Sequence, residues 1–179
     1  KLPAASNKRC IYKCRSYDGI FTVKILHLLS QTHLTGAEVY AADLCKYQMS
    51  EGHECFIISD TLSVKSDAKY TPMSIHNRRH INRIRNILAL IKFCKTQHID
   101  LIHAHSRAGS WLVNVVRFFV NIAYVSTIHG RQSVHFSSKR KNVYGQRIIA
   151  VCEHLQDHIK NELNIDENVY LIRNIIDEH

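Results

Sequence analysis

"FTVKILHLLSQTHLTGAEVYAADLCKY", residues 21–47, changes pattern twice. Residues 21–29 are short, apolar and rich in β-formers, as in a strand buried on both faces. Polar residues 30–35 follow and close on Gly36. From there Ala37, Tyr40, Ala41, Leu44, Cys45 and Tyr47 recur at helical spacing, a largely apolar stripe that stops near Glu51-Gly52. Strand, polar turn and helix make one unit of a strand-helix repeat.

The unit recurs along the chain. "HECFIISD" (53–60) reads as a second strand, and residues 61–75, with Pro72, read as irregular. Residues 77–98 form an amphipathic helix with Ile81, Ile84, Ile87, Leu88 and Ile91 on one side and the basic residues largely on the others. "IDLIHAHS" (99–106) is a strand ending in polar residues, 109–121 a strongly apolar helix, and "IAYVSTIHG" (122–130) a further strand. A polar, basic loop (131–141) leads to a strand at 147–153, a helix at 154–164 and a last strand within 168–177. Near-continuous apolar strands alternating with helices predict a doubly wound, mostly parallel α/β sheet, Rossmann-like and three-layered. Residues 1–20, with Pro3 and Gly19 and no clear period, read as a flexible arm before one domain over 21–179.

Composition agrees with a single domain. The chain has 179 residues, 45% of them apolar, enough for one well-cored domain and too few for two ordinary ones. It holds no apolar window of about 18 residues and no apolar segment in its first twenty, so the expectation is a cytoplasmic protein. The six cysteines sit mostly in apolar segments and read as reduced core residues; Cys10 and Cys14 lie in the polar arm without a second pair to complete a zinc set. A net charge of +9 suggests an anionic partner: nucleic acid, acidic lipid headgroups or a phosphorylated small molecule. Between Asp67 and Asp100 there is no acidic residue, whereas Lys69, Arg78, Arg79, Arg83, Arg85, Lys92 and Lys95 fall there. One face is therefore strongly positive. No basic patch interleaved with aromatics accompanies it, so no nucleic-acid partner is expected.

In doubly wound sheets ligands bind at the carboxyl ends of the strands. The suspicious polar groups lie there: residues 30–36, His103, His105 and Ser106, His129 and Gly130, and Glu153. Each has two readings. Gly36 is a tight turn, or it leaves backbone N–H groups free for a phosphate at the positive end of a helix. His103 and His105 share a strand face, which suits either a metal pair or polar residues at the core's edge; without a third ligand, no metal is expected. His129 is a structural imidazole or part of a site. The basic helix is a solvated face, or a surface for membrane or anionic ligand.

The order of these segments is similar to that in the N-terminal half of the GT-B glycosyltransferases of family 4, the group 1 glycosyl transferases. Residues 24–59, "IDLIHAHSRAGSWL" (99–112), "VSTIHG" (125–130), "RIIAVCEHLQDHI" (147–159) and "VYLIRNIID" (169–177) carry the resemblance. It implies retaining transfer of a sugar from a nucleotide-sugar to a glycan or lipid-linked acceptor, with no cofactor and no required metal. The reaction takes place in a cleft between two Rossmann-like domains. Thr35, Gly36 and Ala37 match the glycine loop at the donor phosphates, although Thr35 stands where a second glycine is usual. "TIHG" matches the segment whose histidine faces the donor sugar and leaving phosphate, which assigns catalysis to His129. His105, Ser106 and Arg131 take the acceptor side.

Cys152 replaces a common serine, and Arg173 and Ile175 replace the usual Pro and Gly beside Asn174 and Asp177. The resemblance ends before the second domain, which binds most of the nucleotide, so this chain alone is expected not to turn over. In relatives with lipid-linked acceptors the N-terminal domain often docks on membrane through basic and apolar surface, which the resemblance extends to Arg78, Arg79, Arg83 and Arg85 of the basic helix. Lipopolysaccharide or polysaccharide synthesis at the inner face of the membrane is then the expected setting. A non-catalytic module for anionic lipid or phosphorylated sugar is the alternative.

Overall fold

The computed structural model describes residues 15–17, 20–77, 79–133, 143–145 and 147–173. Its core is a seven-stranded sheet in which every neighbouring pair is parallel. The strands are β3 (Lys24–Leu28), β4 (Glu54–Ser59), β5 (Lys69–Pro72), β6 (Leu101–Ala104), β7 (Ala123–Ile128), β8 (Arg147–Ala150) and β9 (Val169–Leu171). They lie in the order β5-β4-β3-β6-β7-β8-β9. From β3 the chain winds outward through β4 and β5, then returns to β6 on the other side of β3. This reversal between β3 and β6 opens the crevice typical of doubly wound sheets.

Helices cover both faces. On one, Ala41 and Cys45 of α1 (Gly36–Ser50) pack on Ile25, Leu29, Cys55 and Ile57. On the other, Leu90 and Cys94 of α2 (His80–Gln97) and Leu112, Val113 and Val116 of α3 (Arg107–Val116) cover Leu26, Leu28, Ile102, Ala104 and Tyr124. Further along that face, Leu155 of α4 (Glu153–Asp157) and Ile159 of the π turn after it (His158–Glu162) close over Ile128, Ile148 and Ala150. Side chains that alternate along each strand serve the two layers. The parallel α/β reading therefore holds.

Local chemistry fixes the helix ends. The Thr35 hydroxyl caps α1 by accepting from the Glu38 amide, and Ser106 caps α3 by accepting from Gly109 N–H at 3.1 Å. At the end of α2, His98 takes a left-handed conformation and its N–H donates to the Cys94 carbonyl.

Several sequence expectations need correction. The apolar side of α2 faces the core only in part: Ile87 and Ile91 pack against it, but Ile81, Ile84 and Leu88 are 74%, 59% and 62% exposed, and the buried line is Asn86, Leu90 and Cys94. Periodicity shows which residues share a side, not which side meets the sheet. Asn86 lies inward because its side-chain amide donates to the Ser74 carbonyl at 2.8 Å. The stretch 61–75, read as irregular, contains β5, which pairs along β4. Pro72 fits there because β5 is an edge strand and needs no donor outward. Within the expected arm, β1 (Arg15–Tyr17) pairs with β2 (Ile20–Thr22) as an antiparallel ladder; residues 1–14 lie outside the described residues. The apolar helix begins at Arg107 and ends at Val116, earlier than its apolar run suggests.

Residues 143–145 are fastened to β7. Tyr124 Oη donates to the Val143 carbonyl at 3.0 Å, and the Ser126 hydroxyl donates to the Tyr144 carbonyl. Gly145 has φ +97°, and a Cβ there would lie 2.5 Å from the buried Tyr124 ring. Replacing Gly145 by Ala should therefore cost about 1–3 kcal/mol of stability through strain and overpacking. A lowered urea midpoint with unchanged slope is the expected result; an unchanged midpoint contradicts it.

Candidate functional site

The parallel register gathers four imidazoles on the face that carries α1. His27 of β3 lies opposite His103 of β6, and His103 opposite Val125 of β7. Residues two apart on a strand share a face, so His105 and His129, just beyond β6 and β7, continue the same rows. His27 Nδ1 and His105 Nε2 are 2.9 Å apart, and His105 Nδ1 and His129 Nε2 are 3.2 Å apart. His103 Nε2 lies 2.7 Å from the Thr127 hydroxyl and its ring stacks on His105. His27, His103 and His105 are buried; His129 is half-buried, at the outer end of the row.

Tyr40 joins this row to the start of α1. Its ring sits edge-on to His129, 5.0 Å between centroids, one turn after Gly36 and Ala37. The first-turn amides of Gly36 and Ala37 have no intrahelical carbonyl to meet. A Cβ built on Gly36 or on Gly130 would meet nothing within 4 Å, so open space lies over both backbones. Free amides at a positive helix end, an imidazole and open space beside them suit an anionic or hydroxylated ligand.

Burial keeps three of the imidazoles neutral. It pushes His103 and His105 well below the usual histidine range, and neighbouring imidazoles add to the effect. His129 is lowered to about 4 by burial. The Tyr40 phenol is raised by burial, offset in part by its hydrogen bond with Thr127. At neutral pH His103, His105 and His129 are polar but uncharged.

The other residues singled out in the sequence fall in distinct places. Thr35 caps α1, and Ser106 spends its hydroxyl capping α3. His105 lies beneath His129, its ring buried, and meets it by a hydrogen bond. Arg131, next to Gly130, pairs with Glu162 at 2.6 Å. Glu162 also meets His158 Nδ1 at 3.1 Å, and His158 Nε2 accepts the Gln132 N–H at 3.2 Å, so the π turn holds the loop after His129. Glu153 is exposed and ion-paired with Arg173. Arg79 precedes α2, Arg83 stacks on the Trp111 ring at 4.6 Å, and Arg85 is exposed. Arg78, Asn174, Ile175 and Asp177 lie outside the described residues, as do Cys10 and Cys14.

Sequence reasoning missed Tyr40, His27, Gln48, His158 and Glu162. Tyr40 was counted in an apolar stripe, and His27 was hidden inside an apolar strand. A histidine between Leu26 and Leu28, on the parity of Ile25 and Leu29, was the one available sign. The carboxylate of Glu38 was also unforeseen: it is buried and accepts the amides of Ser63 and Val64, which ties the loop after β4 to the start of α1.

Among the described residues two sets of side chains have ligand atoms close enough for a metal, His27-His103-His105 and His27-Cys45-Cys55, each within 4.8 Å. Two imidazoles on one tetrahedral zinc, at about 2.0–2.1 Å each, keep their nitrogens roughly 3.3 Å apart. The 2.9 Å between His27 and His105 is instead a hydrogen-bond distance.

The profile of Glycosyltransferase Family 4 matches residues 34–179. This chain belongs to glycosyltransferase family 4. Among solved structures, a glycosyltransferase from Rickettsia africae superposes with TM-score 0.77 at 22% identity, over 86% of this chain and 43% of that one. HepE from Anabaena in complex with UDP superposes with TM-score 0.66 at 17% identity, over 87% of this chain and 45% of that one. The lipopolysaccharide outer core galactosyltransferase WaaB superposes with TM-score 0.64 at 12% identity, over 86% of this chain and 46% of that one. The chain thus spans less than half the length of these structures, and its sheet is that of the N-terminal domain of a family 4 enzyme. No curated protein matches it by sequence. Among the described residues no helix is long and apolar enough to cross a membrane.

The depressed histidines have a thermodynamic consequence. An unfolded histidine binds a proton near pH 6.5, whereas folded His129 binds one only near 4, and His103 and His105 are likewise lowered. The unfolded state therefore takes up more protons as pH falls. Stability from neutral burial should be complete above about pH 6.5 and decline from there toward pH 4. A thermal midpoint that stays level from pH 7.5 to pH 5 contradicts this.

Proposed function

We propose that this chain is the acceptor-side domain of a retaining glycosyltransferase that moves a hexose from a nucleotide-sugar to a glycan or glycolipid acceptor. The convergence of the α1 amino terminus and His129 on one open crevice is the observation that carries the reading. A second Rossmann-like domain would bind most of the nucleotide, and this chain alone would not turn over. The reaction needs no metal in this reading.

In the transfer, the acceptor oxygen bonds to the anomeric carbon as the bond from that carbon to the phosphate oxygen breaks. The electron pair leaves with the nucleoside diphosphate, which also takes the acceptor's proton. Charge grows on the leaving phosphate, where the Gly36 and Ala37 amides and the helix dipole would stabilise it with little reorganisation. His129 holds a hydroxyl of the reacting sugars, Tyr40 fixes its ring from the side, and Arg131 borders the acceptor entrance. In the chain combined with its second domain, His129→Ala should lower kcat/KM at least about tenfold, the worth of one hydrogen bond of about 1.4 kcal/mol. Wild-type turnover would refute the assignment.

A lipid-linked acceptor is favoured by the outer face of α2. Ile81, Ile84 and Leu88 are exposed at i, i+3 and i+7, beside the exposed cations Arg85, Lys92 and Lys95. Arg78, Arg79 and Arg83 add charge at its amino end. Each cation near an anionic surface contributes about 1 kcal/mol, and the apolar residues would enter the headgroup boundary. The protein would then act at the inner face of the membrane. It should float with anionic vesicles and not with neutral ones, and Ile84→Asp should release it. Equal recovery with both vesicle types, or none with either, overturns the docking.

A further inference from the structure

The row of histidines does not end at His27. His27 Nε2 lies 2.8 Å from Gln48 Oε1, and the Cys55 thiol approaches the same oxygen at 3.4 Å. A carbonyl oxygen only accepts, so this end of the row sets the roles of all the nitrogens before it. As a neutral ring with a single proton, His27 donates from Nε2 and accepts at Nδ1. The nitrogen facing Nδ1 is His105 Nε2, which therefore donates, leaving His105 Nδ1 to accept. The nitrogen facing that atom is His129 Nε2, which donates in turn. Each ring carries one proton, and all three protons point inward.

We infer that Gln48, through His27 and His105, is a positioning residue that fixes the tautomer of His129, so that its Nδ1 presents a lone pair. His129 is then an acceptor toward any ligand at Nδ1. It receives a hydrogen bond from a sugar hydroxyl and cannot donate one to a phosphate oxygen, which leaves phosphate binding to the Gly36 and Ala37 amides. This consequence for catalysis rests on the glycosyl-transfer reading above; the polarity of the row does not.

The burial of the links makes the device stiff. His27 and His105 are 0% and 3% exposed, so water cannot supply a substitute partner. A reversed row would place a bare His27 Nε2 against the Gln48 oxygen, or turn the amide over and deprive the Cys55 thiol of its acceptor there. The sign of the row is thus decided at Gln48, on the inner side of α1, away from the ligand.

The test is 15N nuclear magnetic resonance of the imidazoles in this chain, in which protonated and bare ring nitrogens resonate far apart and coupling across an N–H···N bond names the donor. The expected spectrum has His27, His105 and His129 each protonated at Nε2, with coupling from His105 Nε2 to His27 Nδ1 and from His129 Nε2 to His105 Nδ1. Gln48→Glu keeps an acceptor at the same place and should preserve that pattern. Gln48→Leu removes the acceptor that fixes the His27 proton at Nε2. The row should lose its single direction, with a share of His129 now protonated at Nδ1. Wild-type His129 protonated at Nδ1 overturns the inference, and so does a Gln48→Leu spectrum that leaves His129 unchanged. The wild-type spectrum decides the polarity even where Gln48→Leu does not fold. None of these readouts involves turnover, so a failed transfer assay and a failed row are distinguishable results.

Discussion

The pairing of β3 with β6, which sets His27 against His103, is the constraint from which the rest follows. A slip of one residue would turn these imidazoles to the opposite layer and put Leu26 or Ile102 in their place. The cost would be paired histidines buried among α2 and α3, without Gln48, Thr127 or Tyr40 to receive them. The same pairing marks the point where strand order reverses. One register therefore determines both where the crevice opens and which polar groups line it.

The crevice combines two ways of being polar without carrying charge. The start of α1 offers backbone amides whose positive character comes from the helix. His103, His105 and His129 offer rings held neutral by burial. Both are held by the fold, the amides by the helix and the rings by burial and hydrogen bonds, and fixed dipoles of this kind stabilise developing charge better than mobile ones. Formal charge lies in the Glu38 carboxylate, turned toward the Ser63 and Val64 amides, in the Arg131-Glu162 pair beside Gly130 and along the outside of α2. The net charge of +9 thus describes the protein's outer surfaces more than its site.

Much of this was legible in the sequence because hydrophobic strands followed by capped helices leave strong local patterns. The helix that opens at Gly36 and His129 at a strand end stand where their patterns indicated, whereas the capping roles of Thr35 and Ser106 came from the structure. What escaped reading depends on distant neighbours. Ile81, Ile84 and Leu88 make a good apolar stripe, yet the sheet had been covered by Leu90 and Cys94, a choice that periodicity cannot express. β5 is short and polar, and only its pairing to β4 makes it a strand. Gln48 lies 21 residues after His27 and His105 lies 78 after it, so no local pattern joins them.

The central claim is that the start of α1 and His129 together form one wall of a nucleotide-sugar site. It is tested most directly by a crystal structure of the chain joined to its second domain, with the donor bound. A phosphate oxygen of the donor should lie about 3 Å from the Gly36 or Ala37 amide, with a sugar hydroxyl on the His129 ring. A donor seated in the cleft and touching neither would contradict the account.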